Sequence, residues 1–315
     1  MNEGFAAYDV NKAFAEQAEA LYARQLGDWP DFKAGVDALE GIRLEKLETG
    51  EVQFVKLFNP TRIVNIKADL SAEGIARRKC FLCLDNLPVA QGGLELDGFV
   101  LLCNPRPIFP KHFTFSSMQH EAQSLPAHIN LMIKTSALAG QNYCIFFNGA
   151  RAGASARDHM HFQICPASEL PLVDHINKIE LASPSVMDVL GAGYLLFQES
   201  DASRLHKQLL SLLESAEKHL HCSEESINLL MSFSGGAWKV ILVPRRKHRP
   251  ACFDGPEETR LLVSPAAVET AGALVLPRLS DFERLNLSQL REIWRELYFS
   301  PSEYARWLNG IFECF

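Results

Sequence analysis

The 315-residue sequence contains no uninterrupted apolar run approaching the length of about 18 residues that reads as a membrane span, so no transmembrane helix and no membrane partner are expected. Its opening residues, Met1-Asn2-Glu3-Gly4, include neither a basic nor an apolar stretch, so no secretory signal is expected. Positive charge is not in excess: 31 Lys and Arg stand against 38 Asp and Glu, a net −7 with the ten His neutral. That balance disfavours a broadly basic nucleic-acid surface, and no nucleic-acid partner is expected. There is no Gly-x-Gly-x-x-Gly and no P-loop, which excludes the two commonest glycine-rich dinucleotide and triphosphate cradles. No segment has low complexity, and 47% hydrophobic against 22% charged residues excludes disorder as the main state. Cysteine is not scarce, at eight, but only Cys80 and Cys83 have ligand-like spacing. The others lie in settings such as Tyr143-Cys144-Ile145 and resemble small buried hydrophobes of a reduced, cytoplasmic protein.

What is present reads as an α+β protein. An amphipathic helix is expected near 11–26, ended by Trp29-Pro30, followed by strands 52–58 and 62–67 around the turn Asn59-Pro60-Thr61. Strands at 99–103 and 111–116, a helix over 126–138 and a wholly apolar strand at 143–147 come next. The second half repeats the order: strand 194–198, a long helix over 203–221, and a hairpin of 227–233 with 237–243 across Ser234-Gly235-Gly236. Helices near 281–298 and 301–309 close the chain. The boundary between halves is expected near 185–194.

The stretch Asp158-His159-Met160-His161-Phe162-Gln163 carries the most chemistry. Period-2 alternation puts His159, His161 and Gln163 on one face, and Met160, Phe162 and Ile164 on the other. Two imidazoles and an amide are costly on a face that is merely core, since each needs a partner. They suit a face that lines a site. A neutral imidazole is a nucleophile towards phosphorus without prior deprotonation, and a neighbouring amide can bond phosphoryl oxygens. The preceding loop, from Asn148 and Gly149 to Gly153 and Ser155, is small enough to bring backbone N–H groups close to a phosphate.

This His-x-His-x-Gln pattern, following an apolar strand and an Asn-Gly…Gly-Ala-Ser loop, resembles the histidine-triad superfamily. More narrowly, it looks like the branch of galactose-1-phosphate uridylyltransferases, diadenosine tetraphosphate phosphorylases and GDP-hexose phosphorylases. The resemblance implies tandem histidine-triad-like units with antiparallel sheets flanked by helices, here 1–185 with the catalytic strand and 186–315 without a catalytic His. It implies a uridylyl-, guanylyl- or adenylyltransferase or phosphorylase acting on a nucleotide sugar or dinucleotide, with inorganic phosphate or a sugar phosphate as second partner. His161 takes the place of the nucleophile and Gln163 that of the phosphoryl contact, while Asn148, Gly149, Gly153 and Ser155 fall in the phosphate loop. Asp158 stands where uridylyltransferases have Pro, one residue further from Ser155. Relatives often pair, which makes a homodimer compatible with this reading.

The same resemblance supplies partners for the C-x-x-C pair: a structural zinc held by Cys80, Cys83, His120 and His159, with His112 the rival for the third place. Two buried Cys without metal remain the alternative. The run Arg245-Arg246-Lys247-His248-Arg249 leaves the second hairpin and is either a solvated loop or an anion contact, with Arg245 and Lys247 the candidate phosphate ligands. The resemblance offers Glu269 as a contact to a sugar or ribose hydroxyl. A nucleotide-binding regulator and a zinc-stabilised interaction protein are the other function classes the sequence allows.

Overall fold

A computed structural model describes residues 4–50, 52–63, 71–181 and 184–309. Among these, the strands are β1 (Phe5–Ala7), β2 (Arg43–Leu47), β3 (Phe54–Phe58), β4 (Gly93–Leu96), β5 (Phe99–Cys103), β6 (Phe113–Ser117), β7 (Tyr143–Asn148), β8 (His161–Pro166), β9 (Ser185–Val189), β10 (Ala192–Glu199), β11 (Ile227–Ser234), β12 (Ala237–Pro244) and β13 (Ala273–Leu276). Ten of them form one sheet in the order β1-β4-β5-β6-β8-β7-β11-β12-β10-β9, and β13-β3-β2 form a second.

The large sheet is a duplication. In the first half β5, β6, a helix (Ile129–Ala139), β7 and β8 follow one another; in the second, β9, β10, a helix (Ala202–Leu220), β11 and β12 do the same. Each unit orders its strands alike, β5-β6-β8-β7 and β9-β10-β12-β11, so the two free edges are β7 and β11. These edges pair antiparallel, Asn148 opposite Asn228 and Ile145 opposite Met231, making one continuous sheet.

The apolar patterning explains the layers. β7 is hydrophobic on both faces because both are covered. Ile145 and Phe147 enter a core with Met160, Phe162 and Ile164 and the helices Phe14–Asp28, Ile129–Ala139 and Ala202–Leu220. Cys144 and Phe146 enter the opposite core, with Tyr194, Leu196 and Ile241, under the segment 261–276 and the helix Leu287–Leu297. The helix Ala202–Leu220 starts where the Asp201 carboxylate accepts from the Arg204 N–H at 2.8 Å, and ends on His221 at φ 52°. Its buried residues Leu205, Leu209, Leu212, Leu213 and Ala216 follow the three-and-four spacing read from the sequence.

Several boundaries differ from expectation. Trp29-Pro30 ends the first helix at Asp28, as expected, but also opens a second, Pro30–Asp37, with proline at its tolerated first position. The expected 281–298 helix is two, Leu279–Arg284 and Leu287–Leu297, because Asn286 caps the second through Gln289. Of the strand expected at 62–67, Arg62 ends a 3-10 turn, Pro60–Arg62, and residues 64–67 lie outside the described residues. β8 begins at His161, two residues later than the alternation alone indicates. No helix among the described residues is long and apolar enough to cross a membrane.

Candidate active site

β8 presents His161 and Gln163 towards the core that contains Phe146 and the 261–276 segment, while Phe162 and Ile164 fill the helical side. His161 is 5% exposed. Its Nδ1 lies 2.9 Å from the His159 carbonyl oxygen, which can only accept, so Nδ1 carries the proton and Nε2 keeps its lone pair. Nε2 has no hydrogen-bond partner among the described residues. Burial pushes the imidazole down to about 4, which favours the neutral form.

Two amides beside it are fixed in orientation by the same logic. His112 Nδ1 accepts from the Ile108 N–H at 3.2 Å, so its Nε2 bears hydrogen and donates to Gln163 Oε1 at 2.9 Å. The Gln163 NH2 is thereby the end left over. Asn148 Oδ1 accepts from Asn228 Nδ2 and from the Ala267 N–H, both at 2.8 Å, so its NH2 is left over too. Neither NH2 meets a protein acceptor among the described residues. Gln123 then sets the spacing: its Nε2 donates to the carbonyls of Asn148 and His161 at 2.9 and 3.0 Å, and its Oε1 accepts from the His161 N–H at 2.8 Å. One side chain is inserted where β7 and β8 would otherwise pair directly.

The loop after β7 is held tightly. The Gly149 N–H donates to Ile227 and the Arg151 N–H to Glu225. A Cβ on Gly149 would lie 2.4 Å from the Glu225 carbonyl oxygen, and Gly153, at φ 103°, would meet the Ala266 Cβ at 2.5 Å. Close packing demands glycine at both. The Gly153 and Ser155 N–H groups donate to no protein acceptor among the described residues, and Ser155 is exposed. Arg245 does not face this loop as an open cation. It is 2% exposed, donates to the carbonyls of Pro265 and His248 at 2.6 and 2.9 Å, and lies 5.4 Å over the Tyr298 ring. Its role in the structure is to hold the 265–270 segment against the sheet. Lys247 pairs with Glu296 at 2.8 Å. Glu269 is buried and accepts from the Ala266 N–H at 2.8 Å, and its burial raises its pKa. A cavity of about 400 Å³ between Val52, Phe54 and Ser185–Leu190 includes none of these residues.

Cys80, Cys83, His120 and His159 converge, their ligand atoms all within 4.8 Å of one another. His159 Nε2 donates to the Ser117 carbonyl at 2.8 Å, so its Nδ1 lone pair faces Cys80 Sγ at 3.3 Å and Cys83 Sγ at 3.7 Å. His120 Nδ1 is 3.2 Å from Cys83 Sγ. Those separations approximate the edges of about 3.5 Å expected for a tetrahedron with zinc–sulfur and zinc–nitrogen bonds. Burial opposes ionisation of Cys80, yet the His159 contact and the Leu82 and Cys83 N–H groups bring its thiol down to about 6. The four residues could therefore hold a soft divalent metal. His112 is not among them, both its nitrogens being engaged. Asp158 pairs with Arg78 at 2.5 Å and ties the cysteine knuckle to the start of β8.

A continuous sheet of two repeated β-β-α-β-β units, with His-x-His-x-Gln opening the inner strand of one, defines a tandem histidine-triad-like fold. Residues 21–166 match the model of a family described as a domain of unknown function (DUF4922), and residues 191–315 match one described as GDPGP1-like, C-terminal domain. Among solved structures, yeast Ap4A phosphorylase Apa2 superposes with a TM-score of 0.61 at 19% identity, covering 90% of this chain and 98% of that one. The same enzyme in complex with Ap4A gives 0.59 at 17% identity, covering 89% and 98%, and in complex with AMP 0.58 at 18%, covering 89% and 97%. Likeness at that identity is one of fold. No curated protein matches the chain. The resemblance to the phosphorylase-containing branch of the histidine-triad superfamily is borne out.

Proposed function

We propose that the chain is a nucleotidyltransferase or phosphorylase that acts on a nucleoside diphosphate sugar or a dinucleoside polyphosphate through a nucleotidyl-His161 intermediate. The supporting observation is that three neighbouring groups have fixed polarity: a lone pair on His161 Nε2, and donor NH2 groups on Gln163 and Asn148. A nucleophile flanked by preorganised donors suits attack on a phosphoryl group, where negative charge develops on the non-bridging oxygens.

In this reading Nε2 attacks the α-phosphorus, a P–N bond forms, and the P–O bond to the departing phosphate breaks, its electron pair leaving with that oxygen. The ring becomes cationic, and its Nδ1–H points at the His159 carbonyl dipole. An oxygen of inorganic phosphate or of a sugar phosphate then attacks the same phosphorus, the P–N bond breaks, and His161 regains its lone pair. The Gly153 and Ser155 amides and the Asn148 and Gln163 NH2 groups hold the phosphoryl oxygens throughout.

Zinc would be held by Cys80, Cys83, His120 and His159, where it would make a rigid joint between the cysteine knuckle and β8. The second half, 186–315, acts as support: β12 carries no histidine, while Asn228 and the 265–270 segment orient Asn148 and close the site.

Intact mass measured after mixing with UDP-glucose, GDP-hexoses, ADP-sugars and diadenosine tetraphosphate tests the mechanism. One of them is expected to add a nucleoside monophosphate to the protein, lost in His161→Gly. If no peptide containing His161 is labelled across that panel, covalent catalysis is wrong.

A further inference from the structure

β7 and β8 pair as far as Phe146 opposite Gln163 and stop there, although β7 runs on to Asn148 and β8 begins at His161. The same register, carried two residues further, would set Asn148 opposite His161. Each residue instead pairs with its outer neighbour, Asn148 with Asn228 of β11 and His161 with Ser116 of β6. Gln123 fills the gap between them. Its amide meets three of the four backbone groups that a direct Asn148–His161 pair would exchange: both carbonyls, at 2.9 and 3.0 Å, and the His161 N–H, at 2.8 Å. The amide can lie only one way round, since reversing it would turn Oε1 towards two carbonyls.

The wedge is held from both sides. Gln123 is 4% exposed. Before it in the chain, the Glu121 carbonyl accepts from the Met160 N–H at 2.7 Å. After it, the Ser124 hydroxyl and the Leu125 N–H donate to the Glu224 carboxylate at 2.9 and 2.6 Å. Strand pairing does not call for this insertion. Direct contact would satisfy the same carbonyls and N–H without burying a side-chain amide or freezing its rotamers. What the wedge changes is the space over the two strands. Opposite residues of an antiparallel pair point to one face, with Cα atoms about 5.5 Å apart when hydrogen-bonded. At that spacing the unused Asn148 NH2 would stand against the unused lone pair of His161 Nε2, and each would satisfy the other.

We infer that Gln123 is a positioning residue, whose amide holds β7 and β8 apart so that the Asn148 donor and the His161 lone pair stay open to a phosphoryl group between them. The splay is read from the strand geometry, while its use rests on the reading of His161 as nucleotidyl acceptor.

Nitrogen NMR of the full chain carrying isotope-labelled histidine tests the splay without any substrate. The His161 Nε2 resonance is assigned by its absence from His161→Asn. In Gln123→Ala it is expected to move upfield, as a lone pair that accepts a hydrogen bond does, and to return when Asn148→Ala is added. Adduct formation in a single turnover tests the use. Gln123→Ala should slow it about a hundredfold, the cost of a misplacement of about 1 Å. Asn148→Ala should then cost little more in that background, against its full cost in the native chain. A resonance unmoved in folded Gln123→Ala, or losses that simply add, would overturn the inference. Should Gln123→Ala lose its native circular dichroism, Gln123→Asn decides, since its amide is one methylene too short to span the gap. A shifted resonance in a chain that never forms a His161 adduct would keep the splay and overturn the proposed mechanism. An adduct formed by Gln123→Ala at the native rate would do the reverse.

Discussion

The free end of Gln163 can only donate, because His112 occupies its oxygen, and His112 can only donate to it, because the Ile108 N–H occupies the other ring nitrogen. Gln163→Glu would put an acceptor with negative charge where a donor stands, so kcat/KM should fall by about a hundredfold or more in a phosphorolysis assay. His112→Phe frees the Gln163 amide to rotate and should cost about tenfold in kcat. In the double variant the two losses should not add, which a double-mutant cycle on kcat would show; additive losses would mean that His112 acts elsewhere. The sequence made Gln163 and His161 visible through alternation. It showed His112 only as a rival zinc ligand and Gln123 not at all, since the partners that give them their roles lie 51 and 38 positions away. Arg245 was legible as a candidate phosphate ligand in a basic run; its burial depends on Pro265 and Tyr298, contacts that no local pattern encodes.

The elements most open to test are the glycine loop and the cysteine knuckle. Gly149→Ala sets a methyl group 2.4 Å from the Glu225 carbonyl oxygen, a backbone atom held by the Arg151 N–H, so it cannot yield cheaply. A loss of about 1–3 kcal/mol in urea unfolding is expected, with adduct formation reduced in parallel. For the knuckle, elemental analysis should find one zinc per chain, absent from Cys80→Ser, and chelation should lower the thermal midpoint of the native chain but not of that variant. A native chain free of metal and unmoved by chelator would leave two packed thiols as the account of Cys80 and Cys83. Among elements, β5, β7, β10 and the β11–β12 hairpin were legible because each is a run of five to eight residues, apolar on one or both faces. β1, β4 and β13 were not, being three or four residues each, nor were β2 and β9, which are largely unburied and stabilised by neighbours in the sheet.

For the molecule as a whole, acid sensitivity follows from two imidazoles held neutral, His112 buried and His248 half-buried. His112 and His248 each titrate at about 3 against an ordinary 6.5, through burial first and then Arg62 for His112 and four arginines (245, 249, 157 and 151) for His248. Between those values the unfolded chain binds more protons, so stability is complete above about pH 6.5 and is lost as pH falls towards 3, by up to ~1.4 kcal/mol per unit for the fully buried His112. Urea midpoints between pH 7.5 and 5 should decline, and less steeply in His248→Gln; a flat profile would contradict the burial of His112 and the arginine surroundings of the half-buried His248. The duplication was partly legible at this scale, as a recurring order of strand, helix and hairpin. The pairing of β7 with β11 was not, since edge-to-edge contact leaves no signature in either strand. That seam has a kinetic corollary. Asn228 reaches Asn148 across an edge filled by the chain's own second half, so the support for the 148–155 loop arrives by folding and not by collision. Specific activity should therefore stay constant on dilution to nanomolar protein, where a site assembled from separate subunits would fade.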